Sequence, residues 1–244
     1  LDGFRPLKMR PVEIAQYKQP IAQRLAKLHT IVVPDHLEKH FTKPTLWSTM
    51  WKWYNFASSK DTRDIVITQP SPTPTPASKE MYAGLRLSDP KTKATLQKLE
   101  KGMPQSATVA FCHNDTLPGN IMLNESTGEI VLIDFEYGGI NYVAFDIANH
   151  FNEYAGGNDD GYPDYSLFPS RADQEEFCTA YLEAANGSPP SPSELSALLA
   201  DVDVFVQINN WFWGLWGVCQ ARSEGTKHFP YLTFAANRIA QARH

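Results

Sequence analysis

The chain has 244 residues, 42% hydrophobic and 20% charged, with 22 Lys and Arg against 27 Asp and Glu for a formal net charge of −5. That apolar fraction supports a substantial core in one large or two small domains, and the acidic balance leaves no basic footprint for a nucleic acid. Gln207, Asn209 and Asn210 interrupt the densest apolar stretch, Phe205 to Val218, so no membrane-spanning helix is predicted.

From Pro11 to Leu28 the apolar positions Ile14, Tyr17, Ile21, Leu25 and Leu28 recur at helical spacing, which predicts an amphipathic helix that Pro20 kinks or divides. A second, aromatic-rich helix is expected after Pro44, with Leu46, Met50, Trp53 and Tyr54 on neighbouring positions. Residues 69–77, QPSPTPTPA, hold four prolines and read as a surface loop or linker. A polar helical stretch with Leu85, Leu96 and Leu99 then runs to Gly102, broken near Asp89-Pro90.

At Thr108 the texture changes. Thr108 to Cys112 reads as a buried strand, and Asn120–Asn124 and Glu129–Phe135 flank Glu125-Ser126-Thr127-Gly128 as a hairpin. Beyond Phe145 the chain becomes helical again. Helix starts are predicted at Ser170 and at Ser191-Pro-Ser-Glu194, the latter with capping-box spacing, and the last helix spans about Tyr231 to His244. The fold class is therefore α+β, mainly α, with one small β element near the middle. Cys112, Cys178 and Cys219 lie in apolar surroundings and read as free thiols of a reducing compartment, by default the cytoplasm.

The chemistry concentrates on that β element. In HNDTLPGN, His113 to Asn120, the spacing from Asp115 to Asn120 equals that of the H-R-D-L-x-x-x-N catalytic loop of kinases, and Asp134 in Ile133-Asp134-Phe135 follows an apolar strand as a metal-binding Asp-Phe does. Phosphoryl transfer needs a carboxylate that orients the attacking hydroxyl and accepts its proton, which is the role read for Asp115. It also needs hard oxygen ligands for Mg²⁺, which keeps waters and nucleotide phosphates around it, and Asn120 and Asp134 suit that. His113 reads as a hydrogen-bonding brace of the loop. Each residue alone has an ordinary turn or capping reading; order, spacing and strand context together point to phosphoryl transfer.

The segments FCHNDTLPGNIML, LIDFEYGGINYVAFDIANHFNEYAGG, DYSLFP and FWGLWGVCQA resemble the choline/ethanolamine kinase family, within the wider group of aminoglycoside phosphotransferase-like small-molecule kinases. NHFNEYAGG is closer to the ethanolamine kinases, because choline kinases tend to carry Trp where Tyr154 stands here. The resemblance implies a protein-kinase-like fold, ATP and Mg²⁺ as cofactors, ethanolamine or choline as the small-molecule partner, and a homodimer as a candidate assembly. By position it implies Asp115 as catalytic base, Asn120 and Asp134 at the metal, and Tyr137, Glu153, Trp213, Trp216 and an aromatic from Phe229 to Phe234 around the amino alcohol. Trp213 and Trp216 share a helix face, where ring surfaces can meet an ammonium, and Glu153 adds a charge partner. On the residues alone that Trp pair reads as core, as do Trp47, Trp51, Trp53 and Trp211.

No Gly-rich phosphate loop or strand Lys precedes the metal motif. The resemblance places residues 1–10 at the hinge, 111–136 in the catalytic and metal-binding core and 191–244 in the substrate-pocket region. The expectation is a large C-terminal lobe without its small nucleotide lobe, poorly active by itself. Rival expectations are a choline or dual-specificity kinase, an antibiotic phosphotransferase, and a non-catalytic kinase-like module that binds an amine or a protein.

Overall fold

In the computed structural model, which describes residues 3–8, 11–38, 42–63, 78–225 and 228–244, the first predicted helix is divided. It forms α1 (Pro11–Gln16) and α2 (Lys18–His29), with the break at Tyr17. Pro20 lies in the first turn of α2, has no N–H to return to the Gln16 carbonyl, and would crowd it, so the helix breaks where α1 ends. The Pro-rich stretch 69–77 lies outside the described residues.

The chain forms two compact units, each described by itself. The first comprises Leu1–Thr45, Gln105–Gly156 and Tyr165–Val206; the second comprises Leu46–Pro104, Gly157–Asp164 and Gln207–His244.

In the first unit, α2 buries Ile21, Ala22, Leu25, Ala26 and Leu28. It packs along the helix Arg171–Asn186, which starts where the Ser170 hydroxyl accepts from the Asp173 N–H and which buries Phe177, Cys178 and Tyr181. Lys18 pins the seam by ion pairs to Asp173, at 2.8 Å, and to Glu176. The predicted hairpin is present as β3 and β4, once the two strands before them are counted. These are β1 (Phe4–Pro6), β2 (Val109–Cys112), β3 (Ile121–Asn124), β4 (Glu129–Leu132) and β5 (Gly139–Tyr142). Ile121 pairs with Leu132 in the antiparallel hairpin, and β1 adds to its open side with Arg5 opposite Leu123. The stretch expected as a hinge remnant thus contributes an edge strand, where Pro6 is tolerated.

A second sheet has two strands, with Phe111 of β2 opposite Ile140 of β5. This corrects the expectation of a buried strand at 108–112: with one partner strand, Val109 stays 45% exposed and only Cys112 is fully covered. From β5 the chain enters the helix Val143–Asn152, in which all ten residues are buried, Asp146, Asn149, His150 and Asn152 included.

The second unit is helical. Leu46–Ala57 buries Leu46, Met50 and Tyr54, and Ser78–Leu85 packs against the last helix, Tyr231–Gln241. The predicted break near Asp89 is the start of Pro90–Lys101, where the Asp89 carboxylate accepts from the Lys91 N–H at 2.8 Å. Of its expected apolar positions Leu96 is buried and Leu99 half-buried. The 32-residue helix Pro192–Ser223 begins in the first unit, with Ser191 and Glu194 forming the predicted capping box, and ends in the second. Gly214 and Gly217 let the last helix approach it closely, since a Cβ at Gly214 would lie 2.5 Å from Ile239 Cγ1 and one at Gly217 would lie 3.0 Å from the Tyr231 carbonyl. Of the tryptophans expected in the core, Trp211 is fully buried, whereas Trp47, Trp51 and Trp53 are half-buried. The indole N–H groups of Trp47 and Trp51 turn to Met103 and Glu100 respectively, which explains their peripheral placement. Among the described residues no helix is long and apolar enough to cross a membrane.

Candidate active site

The loop His113–Asn120 leaves β2 and closes in a single 3₁₀ turn, Pro118–Asn120, before β3. Asn114 takes a left-handed conformation, φ 69°, which Asn tolerates better than most residues. Its side chain stabilises that turn of the chain: Nδ2 donates to the Tyr137 carbonyl at 2.8 Å, and Oδ1 accepts from Asn141 Nδ2 at 2.7 Å. The His113 ring hydrogen-bonds within the loop and to the strand end. Its Nδ1 accepts from the Asp115 N–H at 3.3 Å, so the ring proton belongs on Nε2, which donates to the Ile133 carbonyl at 2.8 Å. The ring also lies 4.6 Å from that of Phe135, tying the loop to the strand end that carries Asp134.

Asp115 is half-buried, and Asn120 Nδ2 donates to both its carbonyl, at 2.9 Å, and its carboxylate Oδ2, at 3.1 Å. Burial first, and the negative charge of Glu153 second, push the Asp115 carboxyl up to about 8 against the opposing Asn120 hydrogen bond, with smaller contributions from Glu136 and Asp134. A carboxylate in that range is a stronger base than an ordinary one and matches proton transfer near neutral pH. Glu153 lies in the 3₁₀ turn Glu153–Ala155 and is only 4% exposed, so a full charge there favours a cation beside it.

Asp134 follows β4 with φ 62° and is exposed. Because the Asn120 amide nitrogen is spent on Asp115, its side-chain oxygen is the group left for a hard cation. The Asn120 side-chain oxygen and the Asp134 carboxylate are hard oxygen donors, so these residues fit Mg²⁺ in donor chemistry. The first unit brings together His113, Asp115 and Asn120 by hydrogen bonds, Glu153 and Asp134 by charge, and Tyr137 through its carbonyl.

Trp213 and Trp216 belong to the second unit. Their rings meet edge to face at 5.3 Å, and Trp216 also meets Tyr231 at 5.5 Å and Phe234 at 6.0 Å. Phe229 meets Tyr231 at 5.0 Å and Phe234 at 5.7 Å, so the aromatics of 229–234 share one cluster with Trp216. Trp213 is buried and Trp216 half-buried, so Trp216 offers the accessible ring surface.

Sequence reasoning missed the supports beneath the loop. Asp146 accepts from the His113 N–H at 2.8 Å and from the Asn114 N–H at 2.6 Å, and Asn149 Oδ1 accepts from the Thr116 N–H at 2.6 Å and hydroxyl at 2.9 Å. The signal was present in VAFDIANHFN, where polar residues at helical spacing interrupt an otherwise apolar helix.

The Choline/ethanolamine kinase family model matches residues 3–243. Ethanolamine kinase 2 of Mus musculus is 36% identical over 91% of the chain and 51% of its own length. The probable ethanolamine kinase of Arabidopsis thaliana is 33% identical over 95% of the chain and 55% of its own length. The chain thus spans about half the length of these curated relatives. Among solved structures, an ethanolamine kinase of Plasmodium vivax superposes with a TM-score of 0.72 at 24% identity, covering 98% of the chain and 62% of that protein, a likeness of fold. With the family model matched almost end to end, on a mainly helical α+β fold that presents an Asp-Asn-Asp constellation at its small sheets, the chain belongs to the choline/ethanolamine kinase family.

Proposed function

We propose that the protein carrying this chain transfers the γ-phosphoryl group of ATP to the hydroxyl of ethanolamine, and that residues 1–244 form its large, mainly helical lobe. Two carboxylates coupled through charge carry this reading: Asp115, raised as a base, and buried Glu153. A small molecule with a hydroxyl at one end and an ammonium at the other satisfies both. Asp115 orients the hydroxyl and accepts its proton; Asn120 holds the Asp115 carboxylate in place; His113 braces the loop. Asn120 Oδ1 and Asp134 are the residues that would hold Mg²⁺, which when bound with ATP supplies charge neutralisation at the phosphates.

Glu153 and Tyr137 recognise the amino group in this reading, and the resemblance alone adds Trp213 and Trp216. A primary ammonium has three N–H donors that need acceptors, which a carboxylate supplies and a ring face supplies poorly, so Glu153 favours ethanolamine over choline. The three cysteines are free and buried, in keeping with a reducing compartment such as the cytoplasm.

The test is steady-state kinetics of the full-length protein on both amino alcohols with ATP and Mg²⁺, with Asp115→Asn as control. A higher kcat/KM for ethanolamine is expected, and the control should lose about 10²–10⁴-fold in kcat. A preference for choline would reverse the substrate assignment. Absence of phosphorylation of either would leave the non-catalytic amine-binding module.

A further inference from the structure

A helix buried on every side has no water for its polar side chains, so those of Val143–Asn152 must find partners inside the fold. Asp146, Asn149 and His150 stand three and four residues apart, on one face, and bind backbone on both sides of Asp115. Asp146 takes the His113 and Asn114 amides, Asn149 takes the Thr116 amide, and His150 Nδ1 donates to the Thr116 carbonyl at 3.4 Å. The Asp115 side chain is left for chemistry while its neighbours are held.

Asp146 has one further partner. His29 Nε2 lies 3.0 Å from its Oδ2, and His29 Nδ1 lies 2.8 Å from the Tyr181 hydroxyl. A carboxylate only accepts, so Nε2 carries the proton, and in the neutral ring Nδ1 accepts from Tyr181. The result is a directed chain within the first unit, from Tyr181 to His29 to Asp146 to the amides of residues 113 and 114. It is dry, with the His29 side chain 3% exposed and that of Asp146 0%. Burial alone would raise the Asp146 carboxyl, yet the hydrogen bonds it accepts from His29 and from the His113 N–H hold it below the usual carboxylate range. Cys112 is also close, its sulfur within 4.8 Å of the His29 and Asp146 ligand atoms. Both His29 nitrogens and both Asp146 oxygens are already in hydrogen bonds, so the trio is a joint and not a metal centre. Leu25 and Leu28 fill volume on the same helix without polar atoms, so filling space did not require histidine at 29.

We propose that His29, held by Tyr181, is a positioning residue for phosphoryl transfer: acting through Asp146, it fixes the backbone of residues 113 and 114 and with it the direction of the Asp115 carboxylate. This rests on the reading of Asp115 as the base.

The test uses His29→Ala, His29→Gln and Tyr181→Phe in the full-length protein, each measured in two ways. One is ethanolamine phosphorylation; the other is hydrogen exchange at the His113 and Asn114 amides, with the Leu123 amide in β3 as reference. His29→Ala is expected to lower kcat about 10²-fold, the scale of a reacting group displaced by roughly an ångström, with KM within about twofold. Gln places an amide donor where Nε2 was, so His29→Gln should recover about tenfold of that loss, and Tyr181→Phe should cost about tenfold or less. The two loop amides should exchange faster in His29→Ala while Leu123 does not change.

A role confined to stability would lower Tm but leave kcat per folded molecule and both amides as in the unsubstituted protein, and that result overturns the proposal. If His29→Ala does not fold, unchanged kcat and unchanged amide exchange in both Tyr181→Phe and His29→Gln overturn it. If the unsubstituted protein does not phosphorylate ethanolamine, the functional reading fails by itself. Amide exchange then decides the brace: faster exchange at 113 and 114 in His29→Ala supports it, and unchanged exchange overturns it.

Discussion

The two units hold their candidate functional side chains by different physics. In the first, the loop around Asp115 is fixed by directional hydrogen bonds from buried side chains to backbone, each with one geometry that works. In the second, Trp213, Trp216, Tyr231 and Phe234 are held by ring contacts and by the close approach that two glycines permit. Hydrogen bonds in a dry interior are lost outright when one partner is removed, whereas dispersion and ring contacts degrade by degrees. The loop should therefore fail abruptly under isosteric apolar substitution, and the aromatic cluster should tolerate changes of ring.

The largest expected effect is that of Asn149→Leu. Leu fills nearly the same volume but accepts nothing, so the fully buried Thr116 N–H loses its partner and the hydroxyl keeps only its longer bond to the Asp146 carbonyl, 3.4 Å. A buried donor left unsatisfied costs about 1–3 kcal/mol. Denaturant unfolding should show a loss of that order, and kcat should fall with it. A variant with unchanged unfolding midpoint would break the contrast between the two regions.

The second region has its own point of rigidity. Gly214→Val places carbon inside the contact distance of Ile239, and overpacking of this kind costs about 1–3 kcal/mol. Adding Ile239→Ala should restore part of the loss, and the double-mutant cycle measures how much of it belongs to that contact. Equal losses with and without Ile239→Ala would show that the glycine serves another purpose.

Helix positions were legible in the sequence wherever apolar spacing, proline and capping residues agreed, as at Ser170, Ser191 and Asp89. The division of the first helix was legible in Pro20, but not its position, because the proline acts on a carbonyl one turn upstream. β1 was not legible: three residues with a proline carry no alternation, and only pairing with β3 makes them a strand. In the candidate site, spacing singled out Asp115, Asn120 and Asp134 as candidates because they are close in sequence. Asp146, Asn149 and His29 escaped because their partners lie across the first unit: an apolar helix interrupted by polar residues marks Asp146 and Asn149 as buried, but not which backbone groups they bind.

His150 offers a second test of the first region, read through pH. Burial pushes its imidazole down to about 4, against the Thr116 carbonyl and the charge of Asp146, and its ring lies among Tyr154, Phe151 and Phe177. The unfolded chain protonates near 6.5, so between 6.5 and 4 it binds the proton that the folded state refuses. His150 therefore contributes stability that is fully present above pH 6.5 and is lost as pH falls toward 4, at up to about 1.4 kcal/mol per pH unit. In His150→Phe this dependence should vanish, and the difference between the two stability curves isolates it from other titrating groups. A flat difference curve between pH 4 and 6.5 would mean that His150 is solvated or charged in the fold.

The smallest effect belongs to Trp216→Phe and bears most directly on the division of labour. An aromatic ring that meets an ammonium interacts with bound substrate and transition state alike, because the charge on nitrogen does not change as phosphate transfers. Uniform binding of that kind appears in KM and not in kcat. An exposed cation–π contact contributes about 0.5–1 kcal/mol in all, and Phe keeps an aromatic face, though a weaker one than Trp, so KM for ethanolamine should rise by no more than about twofold with kcat unchanged. Trp216→Leu removes the face and should raise KM roughly two- to fivefold. Asp115→Asn, by contrast, should act almost wholly on kcat, since the proton moves only as the hydroxyl attacks. If Trp216→Phe lowers kcat and leaves KM alone, the ring positions the reacting hydroxyl, and the aromatic cluster would have to be counted with the loop among the parts that require exact geometry.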